Sequence, residues 1–596
     1  MCRRAADLSS ERGPVLRPFP GAAGAGGVLL AARAAIRPGA SAAVQCPLRR
    51  RSVRRSGQRS GRTRIVGGLV VANLLVALVV AWVWRQDSAV LAGWEPSADA
   101  AAKPVSVQPQ RSTVDWSRRW APDADADPTC ADCNLLLIAL DIFRPDRMPC
   151  FGHPINTTPN ICEMVDNGMV FDTFMAHAYQ TPIAQMANFT GLYPSRSGFV
   201  SFASTLDPVV PTLPERLQAA GYNTVAMGTS FEVMTDMSAA DGERIPFMRP
   251  GLNPSSSFGR GFDRFVYSGH RNLPSDAIPW LRSQAERPWF LWLVFGTLHW
   301  PYGVNVPPVE QAQLDPPGYS GALRDQGPLN FRVLSRLYQG HIYAEDGEKR
   351  TLPVDDHHLI RARYDVGLRY VDRFIGELVD SLSEEQLQST LIVLYGIHGE
   401  DLGEHGYYGH YDIFDVETRM AMVVLDPALR RAPARISDVV EGVDLAPTVL
   451  DLLGLPALPN IDGRSLMPAI TAGSADPERT AIVERVPLWE DIFRHKSGMP
   501  EAFVERVTLR LDAGTWRDRA IRSTRYKLIH RTARAVEAEV SWYGWLSGEA
   551  VERPEWELYD LTADPTEQAN VYAERRKEPE VLDLRAQLQA FEASVD

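Results

Sequence analysis

Residues 134–141 read NLLLIALD, a short apolar run closed by a carboxylate. A run of that length without polar alternation suits a strand buried on both faces, as in a parallel sheet. Asp141 then stands at the strand's carboxyl end, which is where ligands sit in open α/β sheets. Residues 290–295 repeat the pattern and lead through Gly296, Thr297 and Leu298 to His299, and residues 391–395 deliver His398 in the same way. Between them, residues 360–383 carry apolar side chains at helical spacing, which predicts a core-facing helix. Strands alternating with helices predict an α/β sandwich over residues 134–475, with a mostly parallel central sheet covered on both faces. Beyond residue 475 the segments become shorter and more polar. There RYKLIHR from Arg525 and WELYDL from Trp556 read as strands of a smaller C-terminal α+β subdomain, residues 476–596.

A second stretch carries the chemistry. Residues 181–198 read TPIAQMANFTGLYPSRSG. Pro182 suits the first turn of a helix, where a missing N–H costs nothing, and Gly191 marks the helix end. Thr181 is thereby placed at a helix N-terminus, where unpaired backbone N–H groups and the helix dipole favour an anionic group. The same position also suits a plain N-cap threonine.

The 596 residues, 45% hydrophobic and 23% charged, are enough for a large core and more than one domain. Charge is unevenly spread. Residues 1–64 contain fourteen Arg, no Lys, and only Asp7 and Glu11 as acids, while the whole chain carries −12. The remainder is therefore strongly acidic, which argues against nucleic acid as a partner. The Arg-, Ala-, Gly- and Ser-rich residues 1–64 read as a disordered tail. Residues 65–84 form twenty positions without a charge, long enough as a helix (about 30 Å) to cross a bilayer once. Eight Arg between Arg49 and Arg64 precede this run and predict a cytoplasmic N-terminus, with the main domain outside the cytoplasm. Residues 85–133 then read as a linker. Of six cysteines, Cys130 and Cys133 form a CxxC pair that suits a local disulfide or two inert thiols, and Cys150 and Cys162 are placed to pair if the chain is exported.

Several segments resemble one family in order along the chain. They are residues 134–152 (NLLLIALDIFRPDRMPCFG), Thr158-Pro159-Asn160, residues 181–198, Leu298-His299-Trp300-Pro301, residues 398–410, VDLAPTVLDLLGLP from Val443, DGRSLMP from Asp462, RYKLI from Arg525 and ELYDLTADPTEQ from Glu557. On these the chain resembles sulfatase-like proteins of the alkaline phosphatase superfamily, of the type with threonine where true sulfatases mature a cysteine. The resemblance implies an alkaline-phosphatase-like α/β/α sandwich. It also implies metal ligation by Asp141, Thr181 and His398, a nucleophilic Thr181, and active-site roles for His299 and His410. A divalent ion (zinc, manganese or calcium) is the implied cofactor. Three positions depart from the family pattern. Ile142 stands where a second acid is usual, Gln185 occupies the position four after Thr181, and Ile397 replaces the aspartate that precedes His398. Glu400, Asp401 and Asp415 are the nearby carboxylates available as substitutes.

A phosphate or sulfate ester needs an activated nucleophile, charge stabilisation and a proton for the leaving group. The expected function is a membrane-anchored, extracytoplasmic hydrolase of sulfate or phosphate esters acting through a metal-activated threonine. Its substrate is a small-molecule, glycan or lipid ester, and its membrane contact is a single N-terminal helix. A pocket that binds without turnover, or a phosphoethanolamine-type transferase acting on envelope lipids or glycans, are the alternatives.

Overall fold

The computed structural model describes residues 111–114, 129–200, 204–230, 257–284, 288–485 and 518–595, apart from 301, 304, 322, 324–336, 339–340, 344–348, 428–432, 533–534 and 538–549. The tail, the apolar run 65–84 and most of the linker lie outside the described residues. Among those described, no helix is long and apolar enough to cross a membrane.

The larger sheet has seven principal strands: β1 (Asn134–Leu140), β2 (Met169–Met175), β3 (Asn223–Gly228), β4 (Arg264–Tyr267), β5 (Trp289–Phe295), β6 (Thr390–Gly396) and β7 (Arg419–Leu425). Their spatial order is β2-β7-β6-β1-β5-β3-β4, with Ala434–Ile436 and Val440–Glu441 added beside β2. β1 pairs in parallel with β5 and β6, and β3 pairs in parallel with β4 and β5. Only β7 runs antiparallel to its neighbours. The apolar runs read from the sequence are therefore the three central strands, and all but Asn134 of their residues are buried. Helix α1 (Thr181–Thr190) and the long helix α2 (Val354–Asp380) pack on this sheet, and α2 starts and ends a few residues earlier than its periodicity suggests.

Because these strands are parallel neighbours, their carboxyl ends lie side by side. Register pairs Leu140 with both Phe295 and Gly396, so Asp141, the segment to His299 and the segment to His398 leave one edge together. Gly296 lets this edge close up, since a Cβ there would come within 2.7 Å of Ser230 Cα.

A second, antiparallel sheet contains Ala481–Glu484, Arg519–Arg522, Tyr526–His530 and Trp556–Asp560, in that order. Its side chains alternate between faces, as strand geometry requires. Ile482, Ile521, Leu528 and Leu558 pack on the helix Pro579–Val595. Val483, Ala520, Ile529 and Tyr559 face Ile413, Phe414 and Val416 of the segment between β6 and β7. The two cysteine pairs are disulfides, Cys130–Cys133 and Cys150–Cys162, with Cα atoms 5.4 and 5.5 Å apart.

Candidate active site

Helix α1 begins after Gln180, whose backbone is extended and whose side chain makes no capping bond. Thr181 is thus inside the first turn, and the plain N-cap reading does not hold. Its hydroxyl lies 2.9 Å from Asp141 Oδ1 and 3.0 Å from His398 Nε2. Gly191 ends the helix in the left-handed region at φ 70°, which glycine adopts without a Cβ penalty.

His398 Nε2 is 3.2 Å from Asp141 Oδ1, so the three donors form a nearly equilateral triangle. Thr181, Asp141 and His398 are all buried. His398 Nδ1 lies 2.9 Å from the carbonyl oxygen of Gly399. A carbonyl only accepts, so Nδ1 carries a proton and the neutral ring presents its Nε2 lone pair to the triangle. Thr181 has one proton for two acceptors. A carboxylate and an imidazole lone pair at 3.2 Å repel unless a proton or a cation is held between them. Burial alone pushes Asp141 up, but a proton held on His398 Nε2, which bonds and attracts the carboxylate, together with His299 and the Thr181 hydroxyl, outweighs this and holds it below the usual carboxylate range. Ser230, at the carboxyl end of β3, donates to the other oxygen of Asp141 at 3.2 Å.

Asp141 is displayed by a strained turn. Ile142 takes φ 56°, a left-handed conformation unusual for a β-branched residue. Tyr364 holds it by donating its hydroxyl to the Ile142 carbonyl at 2.6 Å, and Phe143 N–H donates to His398 O at 2.7 Å.

His410 and His299 complete the cluster. The ring of His410 lies 4.7 Å from that of His398 and 5.2 Å from that of His299, centroid to centroid. His299 Nδ1 lies 2.9 Å from the Trp300 carbonyl, while its Nε2 is buried and, among the described residues, has no hydrogen-bond partner. All five residues expected at the site therefore converge.

The substitute carboxylates do not join the triangle. Glu400 holds His410, with Oε2 2.6 Å from Nδ1, and accepts the Tyr302 hydroxyl on Oε1. Burial pushes Glu400 up to about 7. Asp401 lies 2.5 Å from His405 Nδ1 and accepts the Gly403 N–H. Asp415 pairs with Lys527 at 2.9 Å and with Arg522 at 3.3 Å. Ile397 is fully buried among the apolar side chains of the core. Gln185 is buried in α1 and accepts the Tyr395 hydroxyl at 2.9 Å.

The donor set decides which ion suits the site. Among the described residues no three His, Cys, Asp or Glu side chains form a metal-binding group, and the third donor of the triangle is a hydroxyl. One carboxylate, one imidazole and one hydroxyl fit a zinc-like ion, which takes three protein ligands and keeps a fourth position for substrate. They do not fit calcium, which needs six to eight oxygens.

Sequence reading missed Ser230, Tyr302 and His270. His270 Nδ1 is 3.2 Å from Thr297 Oγ1, and its burial, with His299 nearby, lowers it to about 4. Ser230 follows the apolar end of β3, and the strand-end logic applied to Asp141 would have found it. No local signal marks Tyr302.

Comparison with known proteins follows the same outline. A family model described as Sulfatase matches residues 133–455. The multifunctional alkaline phosphatase superfamily protein PehA of Trinickia caryophylli is 25% identical over 410 residues, which covers 59% of this chain and 79% of that protein. N-acetylglucosamine-6-O-sulfatase of Bacteroides thetaiotaomicron is 23% identical over 516 residues, covering 76% and 86%. The crystal structure of the phosphonate monoester hydrolase of Agrobacterium radiobacter shares the fold, with TM-score 0.58, 21% identity, and coverage of 78% and 96%.

Proposed function

The chain belongs to the sulfatase family, and from that premise we propose that it hydrolyses sulfate or phosphate esters with Thr181 as nucleophile. The observation that carries this reading is the Thr181 hydroxyl, which sits in the first turn of its helix between Asp141 and His398.

Asp141 Oδ1, which accepts the Thr181 hydroxyl, is within reach to take its proton as the hydroxyl oxygen bonds to sulfur or phosphorus. The ester oxygen departs from the same atom and takes a proton from His410. His299 lies beside His410, and as the imidazolium its buried Nε2, without a hydrogen-bond partner among the described residues, would donate to an anionic oxygen of the substrate. Water then attacks the threonyl ester, releases sulfate or phosphate, and returns the hydroxyl. Asp141, Thr181 and His398 would hold a divalent cation, whose chemistry when bound is to stabilise the attacking oxygen and the charge on the ester.

PehA is named multifunctional, and the Bacteroides sulfatase is named for the 6-O-sulfate of N-acetylglucosamine. These support small-molecule or glycan esters as the substrate class. Anchoring by residues 65–84, with the catalytic fold outside the cytoplasm, rests on the Arg-flanked apolar run. The two disulfides support it, since such bonds persist in oxidising compartments.

The test is a panel of aryl sulfate, phosphate monoester, phosphodiester and phosphonate monoester substrates. Thr181→Ala abolishes turnover with an unchanged melting temperature, and Thr181→Ser retains part of it. Full activity in the alanine variant would assign the nucleophile elsewhere.

A further inference from the structure

Glu400 stands two residues past His398, yet its side chain turns to a different partner. Its backbone is fixed on both sides, with N–H donating to Val416 O at 3.0 Å and the carbonyl accepting from Arg144 Nη1 at 2.6 Å. Just beyond it, Asp401 pairs with Gly409 and Leu402 with Tyr408 in a two-stranded antiparallel ribbon. Carried one step outward, that register sets Glu400 opposite His410. The fully buried carboxylate meets His410 Nδ1 at 2.6 Å and takes the Tyr302 hydroxyl on its other oxygen.

We propose that Glu400, held by Tyr302, is the positioning residue of His410: it fixes the ring and its Nδ1–H tautomer, so that protons pass to and from the ester through Nε2. Where the carboxylate is ionised it can only accept, and Nδ1 is then the protonated nitrogen of the pair. Both carboxylate oxygens are occupied by donors, which sets this role apart from ligation of a cation by Glu400. The inference deepens the reading above and rests on His410 as the proton donor.

Leaving-group dependence separates positioning from plain structural support. Phenyl and 4-nitrophenyl esters of whichever acid is hydrolysed are compared in the wild type, Glu400→Gln, Glu400→Ala, His410→Ala and the double alanine variant. Phenolate needs a proton to leave and 4-nitrophenolate does not. Glu400→Ala should therefore slow the phenyl ester about 100-fold and the nitrophenyl ester less than about tenfold. Glu400→Gln, which keeps an acceptor but no charge, should fall between it and the wild type. The double variant should be no slower than His410→Ala alone. Equal slowing of both esters, or additive losses, would overturn the proposal.

A second readout does not depend on turnover. In nitrogen-15 histidine spectra, Glu400→Ala should shift the His410 signal away from the Nδ1–H form, and Glu400→Gln should retain it. An unchanged His410 pattern in Glu400→Ala overturns the proposal whether or not either ester is hydrolysed. A wild type that hydrolyses neither ester, with the expected change in the histidine signal, overturns the hydrolase reading and leaves the Glu400–His410 coupling standing.

Discussion

Arg531 Nη1 lies 2.6 Å from Asp412 Oδ1, which joins the second sheet to the loop carrying His410 two residues earlier. Arg531 also bonds Glu557 through Nε and Nη2, and Arg553 contacts the other oxygen of Asp412. Asp412 is buried, which opposes its charge, but Arg531, Arg553 and Arg485 hold it well below the usual carboxylate range. The antiparallel sheet thus acts as a charged clamp on the site loop.

Removing one side of such a clamp leaves buried charges without their partner. Arg531→Ala should cost about 3–5 kcal/mol in unfolding free energy, measured by urea denaturation. It should also lower kcat more than it raises KM, because the loop loses its grip on His410. A loss below about 1 kcal/mol would show that Arg553 alone satisfies Asp412.

Ile397 gives the clearest test of the missing acid. Its side chain is fully buried in the core, so Ile397→Asp places a carboxyl among apolar neighbours. Metal-free, the variant should lose about 3 kcal/mol of stability. Zinc, manganese and calcium are titrated by calorimetry into metal-stripped parent and variant. Zinc should bind both with similar affinity, and calcium should bind neither. Tighter zinc binding in the variant, with a rise in melting temperature on metal addition, would show that position 397 still faces the donor triangle.

His177 predicts an acid-sensitive fold. It is fully buried, with Nδ1 2.7 Å from Ile482 O and Nε2 accepting the Val443 N–H at 3.1 Å. Burial lowers it to about 4 from an ordinary 6.5. In that window the unfolded chain binds the proton first, so stability is full above 6.5 and is lost as pH falls towards 4. From this residue alone the loss between pH 7 and pH 5 is about 2 kcal/mol. His177→Gln should flatten that part of the urea-stability profile, whatever its own stability at pH 7. An equally steep profile in the variant would assign the acid sensitivity to other groups.

Topology is tested directly. A reporter active only outside the cytoplasm, fused after Gln110, should be active in the full-length arrangement and inactive when residues 65–84 are deleted. Activity of a cytoplasm-restricted reporter at the same junction would reverse the orientation.

The central strands and the delivery of Asp141, His299 and His398 to one edge were legible in single short windows. An unbroken apolar run of strand length is stable only when both faces are covered, and the residue after it must emerge at the sheet's edge. The end of α1 at Gly191 was equally local, because a left-handed helix end favours glycine whatever surrounds it. The partners of the site residues were not legible in this way. Glu400 was read as a spare ligand, and it is the two-residue pairing of Asp401 with Gly409 that turns it to His410. Tyr302 reaches Glu400 across 98 residues, and Arg531 reaches Asp412 across 119. Such pairs depend on register and on how layers pack, and no local periodicity encodes either. Short-range sterics and hydrophobic pattern set the strands and their ends, whereas the choice among several nearby carboxylates was made by long-range packing.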